Sequence, residues 1–487
     1  MSRSQSTIIY EQLKHPVIDS DGHWIEFEPT LFDYLDGVAG PSMVDRLRSE
    51  DYLAGLGKWS RMTPEERRDR RFIQPAWWGL PARNSLDRAT AMLPRLLYER
   101  MGDFGLDFTI AYPTLALFFA AIKDHELQLA AYRAYNVMAA DLFRGLSDRL
   151  SPAACIPMHS PGEALAELEF VTGLGLKAMM MTSLMRRPIV AARKNGDNDT
   201  YATWPDALGI ESQFDYDPVW AKCVELRVVP TFHSSSQGIG TRASYSNFVY
   251  NHIGHFAAAG EAVCKSLFMN GVTRRFPTLK FAFLEGGVGW ACMLYSDLIG
   301  HWKKRNMAAL DNTNPSNLDV AAVADCFRRY APQSLSAHMD QLESLRHFLG
   351  DVDPVDDFAR CGITKPSDIR DLFVNNFYFG CEADDPINAW AFRKDANPYG
   401  GKLHAIMGSD IGHFDVVEMT DVLAEAYELI ERHQISEDDF RDFVFSNPVR
   451  FWAGSNPDFF KGTVVEKQAA QLLEQEQGLS HHAAAAS

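Results

Sequence analysis

The feature that most constrains the fold is a series of eight short apolar segments, separated by stretches with the pattern of amphipathic helices. These segments are rich in Val, Ile, Phe and Met, as is typical of buried strands. They are Val17–Asp21, Phe108–Tyr112, Ala154–Met158, Lys177–Met181, Arg227–Phe232, Lys280–Leu284, Asn376–Gly380 and His404–Met407. Strands that alternate with helices predict a parallel sheet, and eight such strands close into a barrel. The sequence therefore predicts an α/β fold, a TIM-like (β/α)8 barrel.

The 487-residue chain is long enough for one large barrel that carries insertions. We assign the barrel to residues 11–455 and a C-terminal tail to residues 456–487. Two stretches do not fit the alternation, residues 32–107 after the first strand and residues 301–371 after the sixth. Both are predicted to be helical insertions that roof the mouth of the barrel, and the polar segment 186–215 is predicted to be a lid or an interface loop.

Charge and composition limit the partners. The chain has 64 acidic and 47 basic residues, a net charge of −17, which argues against nucleic acid as a ligand. The segment Met1–Tyr10 lacks the apolar core of a signal peptide, and no apolar run is long enough to cross a bilayer. Seven cysteines without a Cys-x-x-Cys pair indicate a reducing compartment. We therefore expect a cytoplasmic protein that acts on a small molecule, away from membranes.

Side chains able to bind metal stand where four of the predicted strands end. These are Asp21 and His23 after strand one, His233 after strand five, Glu285 after strand six and Asp410 after strand eight. A single aspartate or histidine in such a place is commonly a helix N-cap. The C-terminal ends of barrel strands, however, converge on one active site. Since residues i and i+2 of a strand point the same way, Asp21 and His23 can reach one ion.

Four segments resemble the amidohydrolase superfamily, in its branch of metal-dependent decarboxylases and related hydrolases. They are Ile18–His23, Gly271–Lys280, the Gly408–Asp410 turn and Ser446–Phe451, within a resemblance that runs from about residue 15 to residue 454. The resemblance implies that the His-x-His pair of the family falls on Asp21 and His23. It further places the strand-five histidine at His233, the strand-six histidine at Glu285, and the last-strand aspartate, which binds metal and handles the proton of a bound water, at Asp410.

Two of these positions depart from the family pattern. Asp21 and Glu285 are carboxylates where the family has imidazoles, which shifts the metal preference from Zn2+ toward Mn2+ or Fe2+. A site with three carboxylates can also neutralise two divalent ions. His413, three residues after Asp410, is either a ligand of a second ion or an ordinary loop histidine. The expected cofactor is therefore one or two ions of Zn, Mn or Fe.

Two histidines lie close together after strand five. His252 and His255 could share one face of a helix start, where they would bind a substrate carboxylate or act as acid and base, or else pack and cap that helix. Glu382 and Asp384, after strand seven, are weaker candidates at the same rim. Arg274 and Arg275 precede strand six, at the opposite end of the barrel, and are interpreted as structural.

Three functions are compatible with this pattern. The first is hydrolysis or nonoxidative decarboxylation of a small organic acid or amide through a metal-activated water, with Asp410 as proton acceptor and His252 or His255 on the substrate. The second is O2 activation by a dinuclear Fe or Mn centre, a monooxygenase acting on a small carboxylic acid. The third is a non-catalytic subunit paired with a catalytic paralogue. A homo-oligomer, or a hetero-oligomer with such a paralogue, is expected.

Overall fold

The computed structural model describes residues 3–50, 56–75, 82–194, 202–347 and 355–485. All eight predicted barrel strands are present, and we number them β1 to β8. Their bounds are Ile18–Trp24, Phe108–Pro113, Leu150–Ile156, Ala178–Met181, Pro230–Phe232, Phe281–Phe283, Phe377–Glu382 and His404–Gly408. Each strand pairs in parallel with the next along the chain, from β1 through to β8. The predicted (β/α)8 barrel is thereby confirmed.

The sheet nearly closes at the C-terminal ends of β1 and β8. The Asp410 amide donates to the Asp21 carbonyl at 3.0 Å, and the His23 amide donates to the Ile411 carbonyl at 3.0 Å. The end of β1 and the loop after β8, which both carry candidate ligands, are thus connected by backbone hydrogen bonds. The register of β1 against β2 shifts between Asp19 and Gly22, so the strand is bulged where the ligands begin.

Helices surround the barrel, as the alternation predicts. Several of them begin with a proline in the first turn and a Ser or Asp side chain at the N-cap. In helix Pro161–Gly173, for example, Ser160 Oγ accepts the Glu163 amide at 3.4 Å. The helices of this outer layer are His125–Leu142, Pro161–Gly173, Asp217–Leu226, His255–Met269, Gly289–Arg305, Pro366–Asn376 and Val422–Glu431. The chain begins with helix Gln5–Tyr10 and ends with helices Glu437–Arg441, Asn447–Ser455 and Glu466–Ala485.

The two long connections are helical where the structure describes them. Residues 51–55 and 76–81 of the first connection, and 348–354 of the second, lie outside the described residues. The helices of the first are Glu28–Ala39, Pro41–Ser49, Leu56–Arg61, Pro64–Asp69, Ser85–Met92 and Pro94–Phe104. The second contains helices Val320–Tyr330 and Gln333–Ser336 with several 3-10 turns, after helix Gly289–Arg305 has run past residue 301.

The segment after β4 forms a two-stranded antiparallel ribbon, Met185–Pro188 with Thr203–Asp206. Arg187, 1% exposed, anchors this ribbon. Its guanidinium contacts Asp206 Oδ2 at 3.1 Å and donates to the hydroxyl of Tyr216 at 2.9 Å and to the carbonyl of His159 at 2.8 Å. Each of its three nitrogens therefore has a partner, one in the ribbon itself and two in neighbouring segments. In the part of the chain that the structure describes, we find no helix with the length and apolar character that a bilayer crossing requires.

Candidate metal centre

The six residues predicted as metal ligands come together at the C-terminal end of the barrel, and the side chains of all six are buried. Their ligand atoms form two groups, in each of which all atoms lie within 4.8 Å of one another. The first group is His23, Glu285, Asp410 and His413, and the second is Asp21, His23 and His233. Residues separated by almost 390 positions in the sequence thus meet because the strand ends of a barrel converge.

His23 lies at the centre of the cluster. Its Nε2 is 3.4 Å from Asp410 Oδ1, 3.6 Å from Asp21 Oδ1 and 3.9 Å from Glu285 Oε2. Ligand atoms that each lie about 2.1 Å from one ion are separated from each other by roughly 3 to 4 Å. The separations around His23 therefore have the size that a shared divalent ion requires.

The hydrogen bonds of the histidines indicate which nitrogen faces the cluster. His23 Nδ1 lies 2.9 Å from the carbonyl of Pro113, at the end of β2. A carbonyl only accepts, so Nδ1 carries the proton and Nε2 keeps its lone pair for a metal. His413 Nδ1 is 2.6 Å from Asp410 Oδ1, while its Nε2 is 3.3 Å from Thr114 Oγ1. Residues just after β2 thus orient two of the imidazoles.

Several atoms of the cluster are buried without a hydrogen bond among the described residues. They are Asp21 Oδ1, His23 Nε2, Glu285 Oε2 and His233 Nε2. His233 Nε2 and Glu285 Oε2 lie 2.5 Å apart without hydrogen-bond geometry. Buried polar atoms of native proteins nearly always have a partner. A divalent cation would supply that partner, so the donor set fits a metal.

The carboxylates of the cluster are in an environment that disfavours their charge. Burial raises the pKa of Asp21, Glu285 and Asp410 well above the usual range. Nearby acids add to the effect, including Asp21 on Glu285 and Glu285 on Asp410. A bound divalent cation reverses this repulsion, since it is the largest local charge in such a site.

The imidazoles are shifted the opposite way. Burial lowers the pKa of His233 to about 4 and that of His413 to about 3, and it lowers the pKa of His23 well below its usual range. Neutral imidazole is the form that ligates metals. Acids with raised and histidines with lowered pKa values in one cleft are characteristic of a functional site.

The backbone is unusual at the positions that carry the ligands. Glu285 and Asp410 have φ values of +56° and +49°, in the left-handed region that side-chain-bearing residues seldom occupy. At Gly22, a Cβ atom would lie 2.5 Å from Asp19 Oδ2, so the gap between Asp21 and His23 requires glycine. Strained backbone is concentrated at functional sites in proteins generally.

Two acids that sequence reasoning did not assign also belong here. Asp19 is fully buried, and its carboxylate accepts the amide of Ser409 at 2.9 Å and the Ser409 hydroxyl at 2.7 Å. Asp415 is close enough to Asp410 that its charge helps to raise the pKa of that buried carboxyl, after the larger effects of burial and of Glu285. The i, i+2 pattern of Asp19, Asp21 and His23 could have identified the first, whereas no local signal marks the second.

His252 and His255 lie in a roof formed by residues 234–255, next to the cluster and outside the two ligand groups. His252 ends helix Phe248–His252, and its ring lies 5.5 Å from that of Phe414 in the loop after β8. His255 begins the next helix, is 2% exposed, and has its Nδ1 3.0 Å from Ser235 Oγ.

The first long connection supports this roof. Asn251 Nδ2 donates to the Gln74 carbonyl at 2.7 Å, the Gln74 amide donates to the Ser244 carbonyl at 2.9 Å, and the Trp59 indole donates to the Tyr245 carbonyl at 3.0 Å. Residues 56–75 therefore pack on the roof.

The weaker candidates divide into two places. Glu382 ends β7 and is half-buried, and burial raises its pKa to about 8, with Asp415 and Asp384 adding to the shift. Glu382 also raises the pKa values of Asp21 and Glu285, so it stands near the cluster. Arg274 donates to the carbonyls of Cys361 and Gly362 at 3.2 and 2.9 Å, and Arg275 pairs with Asp217 at 2.6 Å. These arginine contacts support the structural interpretation.

The chain was compared with known proteins. The amidohydrolase family model matches residues 18–345. No curated protein matches. A crystal structure of an amidohydrolase from Mycobacterium avium subsp. paratuberculosis K-10 is 17% identical, with a TM-score of 0.51 over 90% of this chain and 100% of its own.

Two further solved structures are decarboxylases. A 5-carboxyvanillate decarboxylase from Novosphingobium aromaticivorans DSM 12444, crystallised with manganese and 3-methoxy-4-hydroxy-5-nitrobenzoic acid, is 13% identical, with a TM-score of 0.47 over 90% of this chain and 97% of its own. A 2,6-dihydroxybenzoate decarboxylase from Rhizobium is 14% identical, with a TM-score of 0.46 over 91% and 100%.

The family match covers about two thirds of the chain and includes β1, β5 and β6 with their candidate ligands. The Mycobacterium structure agrees with it in fold. The resemblance that the strand-end residues suggest is confirmed: this chain belongs to the amidohydrolase family.

Proposed function

We propose that this protein is a metal-dependent enzyme that hydrolyses, or nonoxidatively decarboxylates, a small organic acid or amide. The observation that carries the proposal is the buried cluster of three carboxylates and three imidazoles at the mouth of the barrel. Membership of the amidohydrolase family supports an enzyme that uses a metal. A bound divalent ion would lower the pKa of a water and polarise a substrate carbonyl.

The proposed ligands are Asp21, His23, His233, Glu285, Asp410 and His413. His23 belongs to both ligand groups, but its Nδ1 is bonded to a backbone carbonyl, so only Nε2 can ligate and only one ion can be bound through it. A second ion would therefore depend on Asp21 and His233. Glu285 could contact both ions, because its Oε2 lies beside His233 Nε2. The three carboxylates favour harder ions, Mn2+ or Fe2+, over Zn2+.

The protein's own groups divide the remaining work. Asp410, whose two carboxylate oxygens are buried in the cluster, accepts the proton of the attacking water. Glu382, at the rim with a pKa near 8, can hold a proton at neutral pH. His255 and His252 in the roof bind or protonate the substrate, and the roof itself keeps bulk water from the cluster.

The proposal is tested by elemental analysis of protein purified without chelator, together with Asp21→Ala, His233→Ala and Glu285→Gln variants. Each variant should lose most of the metal and keep the circular dichroism of the folded protein. Asp384→Asn is the matched control, since it removes an acid from the same rim but outside the ligand groups. Full metal occupancy in Glu285→Gln would show that β6 does not contribute a ligand. Failure of every variant and of the parent protein to bind metal would refute the proposal.

A second function is favoured by one specific observation, the carboxylates at Asp21 and Glu285 where the resemblance implies histidines. Carboxylate-rich Fe or Mn centres can activate O2 in other folds. Oxidation consumes O2, whereas hydrolysis and nonoxidative decarboxylation do not. Metal-loaded protein is therefore incubated with a panel of small acids and amides while O2 consumption and CO2 release are measured together. Substrate-dependent O2 uptake with two Fe or Mn ions per chain supports oxidation. CO2 release or hydrolysis without O2 uptake supports the first proposal.

A catalytic chain is favoured over a non-catalytic subunit because the ligand cluster is complete and buried. Assembly as a homo-oligomer, or with a paralogous subunit, stays a prediction, and light scattering of the purified protein tests it.

A further inference from the structure

The roof over the metal cluster contains an arginine and a buried histidine that are close neighbours. Arg242 Nε donates to the Ile253 carbonyl at 3.3 Å. A Cβ atom on Gly254 would lie 3.2 Å from Arg242 Nη2, so the guanidinium lies over that glycine. His255 follows directly; burial lowers the pKa of its imidazole most, and the charges of His252, His233 and Arg242 lower it further. Arg242 and His255 are therefore neighbours across one glycine.

The hydrogen bonds of Ser235 are compatible with a His255 tautomer that is protonated on Nε2. Ser235 Oγ accepts the amide of Gln237 at 3.2 Å and lies 3.0 Å from His255 Nδ1. A hydroxyl that accepts one N–H can donate its own proton to Nδ1, and in that arrangement the imidazole proton lies on Nε2. That Nε2 is buried and has no hydrogen-bond partner among the described residues. His255 thus holds an unused N–H donor beside a guanidinium.

The positive charge at this place is not neutralised by the protein. Within the described ranges, Arg242 forms no ion pair with a carboxylate. Helix His255–Met269 begins at the same point, with Gly254 at its N-cap and no side chain capping its first amides. A helix start adds partial positive charge to that of the guanidinium. A half-buried arginine, a helix start and an imidazole N–H together form a set that recognises an anion.

The distance to the metal cluster limits the size of the ligand. The ring of His255 is 3.8 Å from that of Phe256, which is 5.0 Å from the ring of the metal-ligand candidate His233. The two histidine rings are therefore no more than about 9 Å apart. Phe256 lies between the two histidines, and the ring of His252 contacts both Phe256 and Phe414, so this part of the roof is aromatic.

We propose that Arg242 and the Nε2–H of His255 hold a carboxylate of the substrate that does not react, while another part of the same molecule reaches the metal cluster. The substrate is then a compact organic acid with an apolar or aromatic body, bound by its anionic end to the roof. This inference rests on the proposed function, because it takes the cluster as the place of reaction. Arg242 and His255 act here on substrate orientation and affinity.

Benzoate serves as the probe, and its neutral analogue benzamide as the comparison, in calorimetric titrations of metal-loaded full-length protein. Benzoate should bind and benzamide should bind at least about tenfold more weakly, a difference of about 1.4 kcal/mol. Arg242→Gln and His255→Asn should each weaken benzoate about tenfold or more without changing metal content. His255→Gln, whose amide nitrogen can occupy the place of Nε2, should restore much of the affinity, as should Arg242→Lys.

Arg186→Gln is the matched control, since Arg186 lies in the adjoining ribbon and donates to the Gln237 carbonyl of the same roof at 3.1 Å. Equal losses in Arg186→Gln and Arg242→Gln would overturn the anchor, because they would indicate a long-range effect of charge. Unchanged benzoate affinity in both Arg242→Gln and His255→Asn, or no saturable binding below about 10 mM, would also overturn it. Loss of benzoate binding in Asp21→Ala alone would place the anion on the metals and leave the proposed function intact. Benzoate binding that depends on Arg242 in protein unable to bind metal would support the anchor while the proposed function fails.

Discussion

Asp19 offers the most informative perturbation of the barrel under the metal cluster. Its Oδ1 accepts the amides of Ser409 and Asp21, at 2.9 and 3.2 Å, and its Oδ2 accepts the Ser409 hydroxyl at 2.7 Å. The Asp410 amide in turn donates to the Asp21 carbonyl at 3.0 Å. One buried carboxylate thus ties β1 to β8 immediately below two of the proposed ligands.

The magnitudes follow from those three bonds. Asp19→Ala leaves three buried donors without an acceptor, at about 1–3 kcal/mol each, so the free energy of unfolding should fall by about 3–9 kcal/mol. Asp19→Asn keeps an oxygen at Oδ1 and requires only that the Ser409 hydroxyl reverse its role, which should cost less than about 1.5 kcal/mol. Loss of a residue that orients metal ligands typically weakens metal binding roughly 10- to 100-fold. We expect that loss in Asp19→Ala and not in Asp19→Asn.

The assay is urea unfolding of each variant at pH 8, followed by metal titration of the folded protein. Burial raises the pKa of Asp19 to about 6, so its carboxylate is ionised under these conditions. Ser409→Ala, which removes only the hydroxyl bond, is the intermediate control and should lose about 1–2 kcal/mol. Equal destabilisation by Asp19→Ala and Asp19→Asn, or parental metal affinity in Asp19→Ala, would refute the reasoning.

Three further predictions follow from single contacts. A Cβ at Gly408 would lie 2.8 Å from the Cβ of Asp21, so Gly408→Ala should cost about 1–3 kcal/mol in urea unfolding and reduce metal occupancy; unchanged occupancy would argue against Asp21 as a ligand. Burial lowers the pKa of Lys280 from 10.5 to about 8, so the unfolded chain binds that proton more tightly and the free energy of unfolding should rise by up to about 3 kcal/mol between pH 8 and 10.5. Lys280→Met should abolish that rise, and parallel pH profiles for the two proteins would contradict it. The buried pair of Arg187 and Asp206 predicts that Arg187→Met or Asp206→Asn each lowers the free energy of unfolding by about 3–5 kcal/mol; if Arg187→Met melted at the parental temperature, the ribbon would not depend on that pair.

The sequence alone determined the barrel and the ends of its strands. Buried parallel strands are continuous apolar runs, so segments such as Lys177–Met181 and His404–Met407 are visible without any long-range information. Polar residues that directly follow such runs, Glu285 and Asp410 among them, are conspicuous for the same reason. Since barrel strand ends converge, their meeting could be inferred before any coordinates.

The tertiary structure decided how those residues face one another. The left-handed backbone of Glu285 and Asp410 and the carbonyl of Pro113 behind His23 depend on contacts between segments that are distant in the sequence. The roof is a further example. Arg242 is an ordinary loop arginine in the sequence, and only the structure shows that its guanidinium lies over Gly254. Local sequence patterns determine which residues end a strand, whereas the packing of the loops determines where each side chain points. In this protein the orientation of the side chains decides which of them can share a metal ion or bind a substrate.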